Sequence, residues 1–137
     1  MYNKIMVPVD LAHIERLEKA ITTATDLAKH YGIPICFVGV TAETPTEVAH
    51  TPKEFAEKLA AFGAKHSDAH GLDIDTASYP SHDPTIDLNE TLISAAAENG
   101  ADLIVMASHV PGLPEHIFAS HAGAVASHAG VSVFVVR

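Results

Sequence analysis

Small and polar residues follow two apolar runs of the sequence and have the chemistry needed to hold an anion. Asp10 comes directly after the run 4–9, and Ala-Ser-His at 107–109 comes directly after the run 103–106. Small residues let backbone N–H groups approach phosphate oxygens, and the imidazole of His109 can hydrogen bond to an anion or act as a general base. In an open parallel sheet, ligands bind outside the carboxyl ends of the strands. If both runs are neighbouring strands, these residues share one crevice.

Ser120 is a further candidate for this crevice, because it opens a predicted short helix. A serine at a helix N-cap accepts a hydrogen bond from the first turn, and its hydroxyl can also donate to a phosphate. The unpaired N–H groups of a helix N-terminus add to the attraction for an anion. A capping role alone would also explain Ser120, so both interpretations stay open. Val40 and Thr41, which end another apolar run, complete the expected crevice.

Ten histidines invite a metal-site or acid–base hypothesis. His66 and His70 are four residues apart on a predicted helix and can present both rings on one face, but no third ligand is apparent. His116, His121 and His128 lie on or near the last predicted helix. We interpret these histidines as solvent-exposed or interface residues, and we expect no metal site and no catalytic residue.

Motifs of several common enzyme classes are absent from the sequence. There is no Walker A pattern, no Gly-x-Gly-x-x-Gly at the start of the first helix and no nucleophile elbow. Ser81-His82-Asp83 has the composition of a catalytic triad, but triads are assembled from distant segments. We interpret it as the cap of the third helix.

Strand and helix patterns alternate along the whole chain. Apolar, β-branched runs predict strands, and apolar residues at three- and four-residue spacing predict helices, with Ile14 and Ile86 assigned to inward faces. The predicted strands span 4–9, 33–40, 73–79, 103–106 and 131–136, the third closed by Pro80, and the predicted helices span 13–31, 53–70, 85–99 and 120–128. This alternation predicts right-handed crossovers and a parallel sheet covered by helices on both faces. We expect one domain over residues 1–137.

Composition and charge narrow the function classes. Hydrophobic residues make up 47% and charged residues 18% of the chain, as in a compact globular protein. The formal net charge of −9 and the lack of a Lys or Arg cluster argue against nucleic acid as a partner. Cys36 has no second cysteine to pair with, and we expect neither a signal peptide nor a segment inserted in a membrane. We therefore expect a cytoplasmic, soluble protein.

Three segments, taken in order, resemble the universal stress protein family. They are Met-Val-Pro-Val-Asp at 6–10, Asp-Leu-Ile-Val-Met-Ala-Ser-His at 102–109 and Val-Ser-Val-Phe-Val-Val-Arg at 131–137. The resemblance extends over essentially the whole chain. It implies an adenine nucleotide alpha hydrolase-like α/β fold, a five-stranded parallel sheet of order 3-2-1-4-5. It also implies that ATP, with or without Mg²⁺, binds between the first and fourth strands.

Carried over position by position, the resemblance implies a set of nucleotide contacts. Asp10 would face the adenosine end, the backbone of Val40 would contact the base, and Ala107 and His109 would flank the ribose and phosphates. An alternative role for Asp10 is to accept hydrogen bonds from nearby backbone amides. The full implied set is Pro8, Val9, Asp10, Val40, Met106, Ala107, His109, Val110, Ala119, Ser120 and His121.

The nucleotide loop departs from the family signature, which is Gly-x-x-Gly, a spacer, and then Gly-Ser or Gly-Thr. Ala107 and Val110 stand at the first two glycines and Ala119 at the last, while Ser120 keeps the hydroxyl. The Ala-Ser-His-x-Pro opening resembles a branch of the family that lacks the first two glycines and is still expected to bind nucleotide. If residue 119 needs a left-handed backbone, alanine costs roughly 1–2 kcal/mol, which is about a tenfold loss of affinity.

The resemblance further implies a dimeric regulator. An apolar run at 131–136 on the edge of a sheet would promote aggregation unless covered, and pairing with a second copy is the simplest cover. We expect a homodimer through this strand, whose adenine nucleotide occupancy changes its surface for an unidentified protein partner in stress response or transporter regulation. Two alternatives stay open, a nucleotide-free interaction module and a slow ATPase or nucleotidyl-transfer enzyme using His109.

Overall fold

Strands and helices alternate along the chain in the computed structural model, which describes residues 1–108 and 115–137, with side chains for 1–108 and 121–137. The strands are β1 Ile5–Pro8, β2 Ile35–Ala42, β3 Ile74–Ser81, β4 Leu103–Ala107 and β5 Ser132–Val136. The α-helices are α1 Glu18–Tyr31, α2 Pro52–His70, α3 Pro84–Glu98 and α4 Glu115–His128, and a 3₁₀ segment occupies Leu11–Arg16. The strands form a parallel sheet of order β3-β2-β1-β4-β5. The predicted fold class and strand order are confirmed.

Helices cover both faces of the sheet. Ile5 and Val7 of β1 are buried beneath α1 and α2, whereas Met6 is buried on the opposite face with Leu92 of α3 and Val125 of α4. Successive side chains of a strand point to opposite faces, so a strand buried on both faces is apolar at consecutive positions. This explains why continuous apolar runs marked the central strands in the sequence.

Capping residues and glycines set the helix ends largely as predicted. Asp83 caps α3, because its carboxylate accepts hydrogen bonds from two N–H groups of the first turn at 3.2 and 3.3 Å. Gly32 and Gly71 follow α1 and α2 with left-handed backbone conformations, which glycine adopts without steric penalty. The interpretation of residues 81–83 as a helix cap is confirmed.

Two side chains assigned to the core lie at the surface. Residues 11–16 form 3₁₀ turns with a kink at His13, and α1 begins at Glu18, later than predicted. A 3₁₀ segment has three residues per turn instead of 3.6, so different side chains share a face. Ile14 therefore lies at the surface and is 43% exposed. Ile86 is 77% exposed, because it lies about two and a half helical turns before the buried Ala95 and therefore on the opposite side of α3.

Two predicted element boundaries are also wrong. Pro80 does not end β3, which continues to Ser81. β3 is an edge strand, and the alternation of its backbone turns the nitrogen of Pro80 away from β2, where no donor is needed. α4 begins at Glu115 rather than at Ser120, so Ser120 is not its N-cap. An acidic residue directly after a proline is a helix-start signal, and the sequence carries it at Pro114 and Glu115.

β1 and β4 are paired over a short length. In this pair, Ile5 is in register with Leu103 and Met6 with Ile104, and the described pairing stops there. Val9 N–H donates to β2 at 2.8 Å, so the odd-numbered residues of β1 direct their backbone groups toward β2 and the even-numbered ones toward β4. Pro8 therefore faces β4 without an N–H to donate. The missing donor ends the ladder and lets the two strands separate.

A carboxylate holds β1 and β4 together at their amino ends. Asp102 accepts hydrogen bonds from the N–H groups of Asn3 at 3.0 Å and Lys4 at 3.1 Å, and its own N–H donates to Lys4 O at 3.1 Å. Burial alone would raise the pKa of Asp102, but the hydrogen bonds from Asn3 and Lys4 outweigh it and lower that pKa. At the other end of β4, Ser108 N–H donates to Val136 O of β5 at 2.9 Å.

Replacing Asp102 is expected to weaken the fold in a pH-dependent way. Asp102→Ala removes charge-assisted hydrogen bonds and should lower the free energy of unfolding by about 1–3 kcal/mol at pH 7. A carboxyl with a lowered pKa in the folded state stabilises it above about pH 4 and loses that effect as the pH falls through the folded-state value. The difference between wild type and variant in urea unfolding should thus be largest at pH 7 and shrink toward pH 3.

Asp73→Ala is the matched control, because Asp73 is exposed and its substitution changes the net charge by the same amount. We expect this control to change the free energy of unfolding by less than about 0.5 kcal/mol. Equal effects of the two substitutions at pH 7 would contradict the role assigned to Asp102.

Candidate functional site

A cleft of about 590 Å³ opens where β1 and β4 separate, at the carboxyl ends of the strands. Its volume is typical of a site for a small molecule. Its walls come from the end of β1 with the 3₁₀ segment, the end of β2 with the connection to α2, the first turns of α3, and the end of β4 with α4. This is the point in an open parallel sheet where the strand order reverses and ligands bind.

The residues predicted on the strand ends meet at this cleft. Those that line it are Pro8, Val9, Asp10, Val40, Met106, Ala107 and His121. His109 and Val110 lie outside the described residues, as do the side chains of Ala119 and Ser120, whose backbone belongs to α4. The structure thus brings together the β1, β2 and β4 parts of the predicted site.

Asp10 is fixed at the mouth of the cleft by two hydrogen bonds. Its Oδ1 accepts from Ala12 N–H at 3.0 Å, which caps the 3₁₀ segment, and its Oδ2 lies 2.8 Å from Nδ1 of His13. A carboxylate oxygen can only accept, so this nitrogen of His13 carries the proton and the other ring nitrogen is left for a ligand. The alternative role for Asp10, accepting from nearby backbone amides, is confirmed, and the same carboxylate also lines the cleft.

Among the described residues that line the cleft, Arg16 is the only lysine or arginine. It lies six residues after Asp10 and three after His13, along the same 3₁₀ segment. Its Nε is 3.7 Å from Oε1 of Glu15, which is too long for a hydrogen bond. The guanidinium of Arg16 has five N–H groups. It therefore borders the cleft with Glu15 as a distant ion-pair partner.

The connection between β2 and α2 forms a further part of the wall. Thr46 N–H donates to Ala49 O at 2.8 Å, and its hydroxyl accepts from the N–H groups of Val48 and Ala49 at 3.2 Å. These bonds fold the connection into a tight turn that places Glu47 and Val48 beside the cleft. The side chain of Thr46 therefore helps to order a connection whose sequence shows neither helix nor strand periodicity.

On the opposite wall, α3 orients a histidine of α4. His121 Nδ1 lies 3.0 Å from Oδ1 of Asn89. Because an amide oxygen accepts, Nδ1 is the donor and Nε2 is the nitrogen left for a ligand. Asn89 does not itself line the cleft, so it acts by fixing the ring of His121.

The interior of the cleft is mainly apolar. Val38, Val40, Phe55, Leu92 and Met106 contribute to its lining. An apolar interior with polar groups placed at a few points suits a ligand that has a flat hydrophobic part and a polar or charged part. The arrangement can bind such a ligand and exclude water from its hydrophobic part.

Comparison with known proteins identifies the family. The model described as the universal stress protein family matches residues 1–137. The chain belongs to the universal stress protein family. The resemblance read from the three sequence segments is thereby confirmed at the level of the family.

Individual members of the universal stress protein family match over the full length. Universal stress protein G of Shigella flexneri is 27% identical over 148 residues, covering 100% of both chains. The solved universal stress protein of Archaeoglobus fulgidus has a TM-score of 0.72 and 20% identity, covering 100% of each chain. A structure from the same organism in complex with dAMP has a TM-score of 0.70 and 19% identity, covering 99% of this chain and 98% of that one.

Several residues that border the cleft of this universal stress protein are not among those predicted from the sequence. The predicted helix 13–31 includes His13 and Arg16, whereas the structure places both in 3₁₀ turns, with which their spacing of three and six residues from Asp10 agrees. Glu47 and Val48 lie in a connection that carries no periodic signal. Their placement depends on local hydrogen bonds, which composition alone does not reveal.

His66 and His70 lie apart from the cleft. The rings of His66 and His70 are stacked at 5.7 Å, and His66 also packs against Phe37 and Phe62. Burial, followed by the nearby positive charges of His70 and Lys65, lowers the pKa of His66. Within residues 1–108 and 121–137, no group of three His, Cys, Asp or Glu side chains could hold a metal ion.

None of the helices in the described part of the chain is both long enough and apolar enough to cross a membrane.

Asp10 is expected to stabilise the 3₁₀ segment as well as line the cleft. Asp10→Ala removes the acceptor for Ala12 N–H and should lower the free energy of unfolding by about 1 kcal/mol in urea titrations. Asp10→Asn keeps a side-chain oxygen at the cap and is the matched control, with an expected change of a few tenths of a kcal/mol. If both variants were destabilised equally, the carboxylate charge rather than the cap would be responsible.

Proposed function

We propose that the cleft binds an adenine nucleotide, ATP with or without Mg²⁺, and that the chain acts by binding rather than by catalysis. The observation that carries this proposal is the separation of β1 and β4 beyond Met6 and Ile104, which opens an apolar cleft beside Asp10 and Ala107. A relative of the same fold was solved with dAMP, which supports an adenine nucleotide as the ligand.

The lining suggests how the nucleotide lies. The apolar interior at Val40 and Met106 suits the adenine ring, with the backbone of Val40 as its polar contact. Asp10 at the cleft mouth suits the adenosine end, where its remaining lone pairs can accept from ribose hydroxyls. Ala107 and His121 then face the ribose and phosphates. The other proposed contacts are Pro8, Val9, His109, Val110, Ala119 and Ser120.

We further propose that the chain represents the branch of the family in which Ala-Ser-His-x-Pro replaces the first glycines of the nucleotide loop. In this sequence the segment is residues 107–111. Ala107 keeps a small side chain at the cleft, so backbone atoms of β4 can still approach a ligand. Residues 1–137 are proposed to form one universal stress protein domain.

Titration calorimetry with ATP tests the binding proposal. Wild type should bind ATP, and Val40→Trp should weaken binding at least tenfold because the indole fills the space proposed for the base. The matched control is Thr22→Trp, an equal insertion at an exposed position of α1 away from the cleft, which should bind as wild type does. Parallel titrations with ADP and AMP, and with ATP without Mg²⁺, establish which nucleotide is preferred.

Absence of binding by wild type at millimolar nucleotide would refute the proposed function. It would leave the protein as a nucleotide-free interaction module of the same fold. Thermal unfolding of both tryptophan variants checks that a loss of binding by Val40→Trp does not arise from a loss of fold.

We also propose a homodimer through β5. This strand forms an edge of the sheet, and its side chains Phe134 and Val135 are 45% and 37% exposed. An edge strand with exposed apolar side chains tends to pair with another strand. A two-fold contact between the final strands covers both edges in a closed assembly. Nucleotide occupancy would then regulate the binding of a protein partner in stress response or transporter control.

Charge substitutions on β5 test the dimer. The double variant Phe134→Lys/Val135→Lys should convert a dimer into a monomer in light scattering at micromolar concentration, because like charges then face each other across the edge. Ile86→Lys replaces a more exposed apolar side chain outside the sheet and should leave the dimer intact. A monomeric wild type at this concentration would contradict the proposal.

A cytoplasmic location is proposed on the properties of Cys36. The thiol is free and buried. Burial, followed by the nearby Asp75 carboxylate, raises the pKa of Cys36 to about 12. A thiol in this state behaves as a small core side chain. The sequence has no second cysteine for a disulfide within the chain, which favours a reducing compartment.

A further inference from the structure

We propose that the guanidinium of Arg16 binds a phosphate group of the ligand in the cleft. This inference rests on the proposed function, since it concerns the same cleft and an anionic nucleotide. It adds a contact from the 3₁₀ segment to those predicted on the strand ends.

The environment of Arg16 leaves its charge poorly compensated. Its side chain is 25% exposed, so much of it is withdrawn from water. Among the described residues, the ion-pair partner of Arg16 is Glu15. The Oε1 of Glu15 lies 3.7 Å from Nε of Arg16, and the Glu15 side chain is 71% exposed. An ion pair at this distance with an exposed partner contributes little to the free energy of folding. A partly buried guanidinium with this one partner gains from a bound anion, which supplies acceptors for its N–H groups.

In the described part of the cleft lining there are two carboxylates, Asp10 and Glu47, and neither pairs with Arg16. Asp10 is occupied by Ala12 N–H and by His13, at 3.0 and 2.8 Å. Glu47 lines the cleft and forms no ion pair with Arg16 within the described residues. Because Asp10 is turned toward His13, the guanidinium stays available to a ligand.

The amino end of α3 is a weaker source of positive potential in the described lining than Arg16. The protein carries a formal net charge of −9, so a phosphate needs a local cation to offset the general repulsion. The amino end of α3 borders the cleft, but Asp83 already accepts from two of its first-turn N–H groups. The planar fork of an arginine matches two phosphate oxygens.

If Arg16 contacts phosphate, it contributes to the affinity for nucleotides and not for the nucleoside. Calorimetric titrations of wild type and Arg16→Gln with ATP and with adenosine separate these contributions. We expect Arg16→Gln to weaken ATP binding roughly tenfold and to change adenosine binding less than twofold. Arg16→Lys, which keeps the charge and loses the fork, should weaken ATP binding by a smaller factor.

Lys29→Gln is the matched control, because Lys29 is an exposed cation at the end of α1 outside the cleft. It removes the same charge and should leave ATP binding within twofold of wild type. ATP affinity unchanged by Arg16→Gln would overturn the inference while leaving the proposed function intact. Equal losses for ATP and adenosine would also overturn it, since Arg16 would then act on the shape of the cleft.

A wild type that binds neither ATP nor adenosine would refute the proposed function, and a separate measurement then tests Arg16. Inorganic triphosphate is added while the side-chain Nε–H signal of Arg16, assigned by its loss in Arg16→Gln, is followed by NMR. A saturable shift of this signal in wild type and in Lys29→Gln supports the anion contact. No shift at millimolar triphosphate overturns it.

Discussion

The incomplete pairing of β1 with β4 is the constraint on which the rest of the site depends. At their amino ends, these strands are joined by the hydrogen bonds of Asp102 to Asn3 and Lys4. At their carboxyl ends, Pro8 presents a nitrogen without hydrogen to β4, and the described register stops at Met6 and Ile104. A bonded end and an unbonded end on the same strand pair let the two strands diverge toward their carboxyl ends. The cleft is therefore a consequence of backbone chemistry in the core of the sheet.

Different elements around the cleft provide its apolar and its polar groups. The strands provide an apolar interior, and the segments that follow them provide polar groups held by short-range bonds. His13 is held by Asp10, and His121 by Asn89, so two imidazole rings have one nitrogen engaged and one left over. Orientation by a neighbour fixes each ring before a ligand arrives, which reduces the entropy lost on binding. In a neutral ring whose Nδ1 carries the proton, the remaining nitrogen is an acceptor, which suits a hydroxyl or amino group of a ligand.

Much of this architecture was predictable, because the signals are local and strong. Apolar runs marked strands buried on both faces, and Asp83 marked a helix start through its capping chemistry. The order of the strands came from the resemblance to a family, since periodicity carries no information about which strands are neighbours. Features that depend on tertiary context were missed. Pro80 is tolerated because β3 is an edge, and Arg16 reaches the cleft because the 3₁₀ turns shift its direction.

The bond between Ser108 N–H and Val136 O connects the cleft to the far edge of the sheet. Ser108 directly follows the cleft residue Ala107, and Val136 is the last residue of the strand on which self-association is proposed. Ser108 is buried, and its hydroxyl also donates to Val136 O at 3.3 Å. A shift of the chain at residue 108 therefore has to be accommodated by β5 or has to break both bonds. Ser108 thus links the wall of the cleft directly to the edge strand of the sheet.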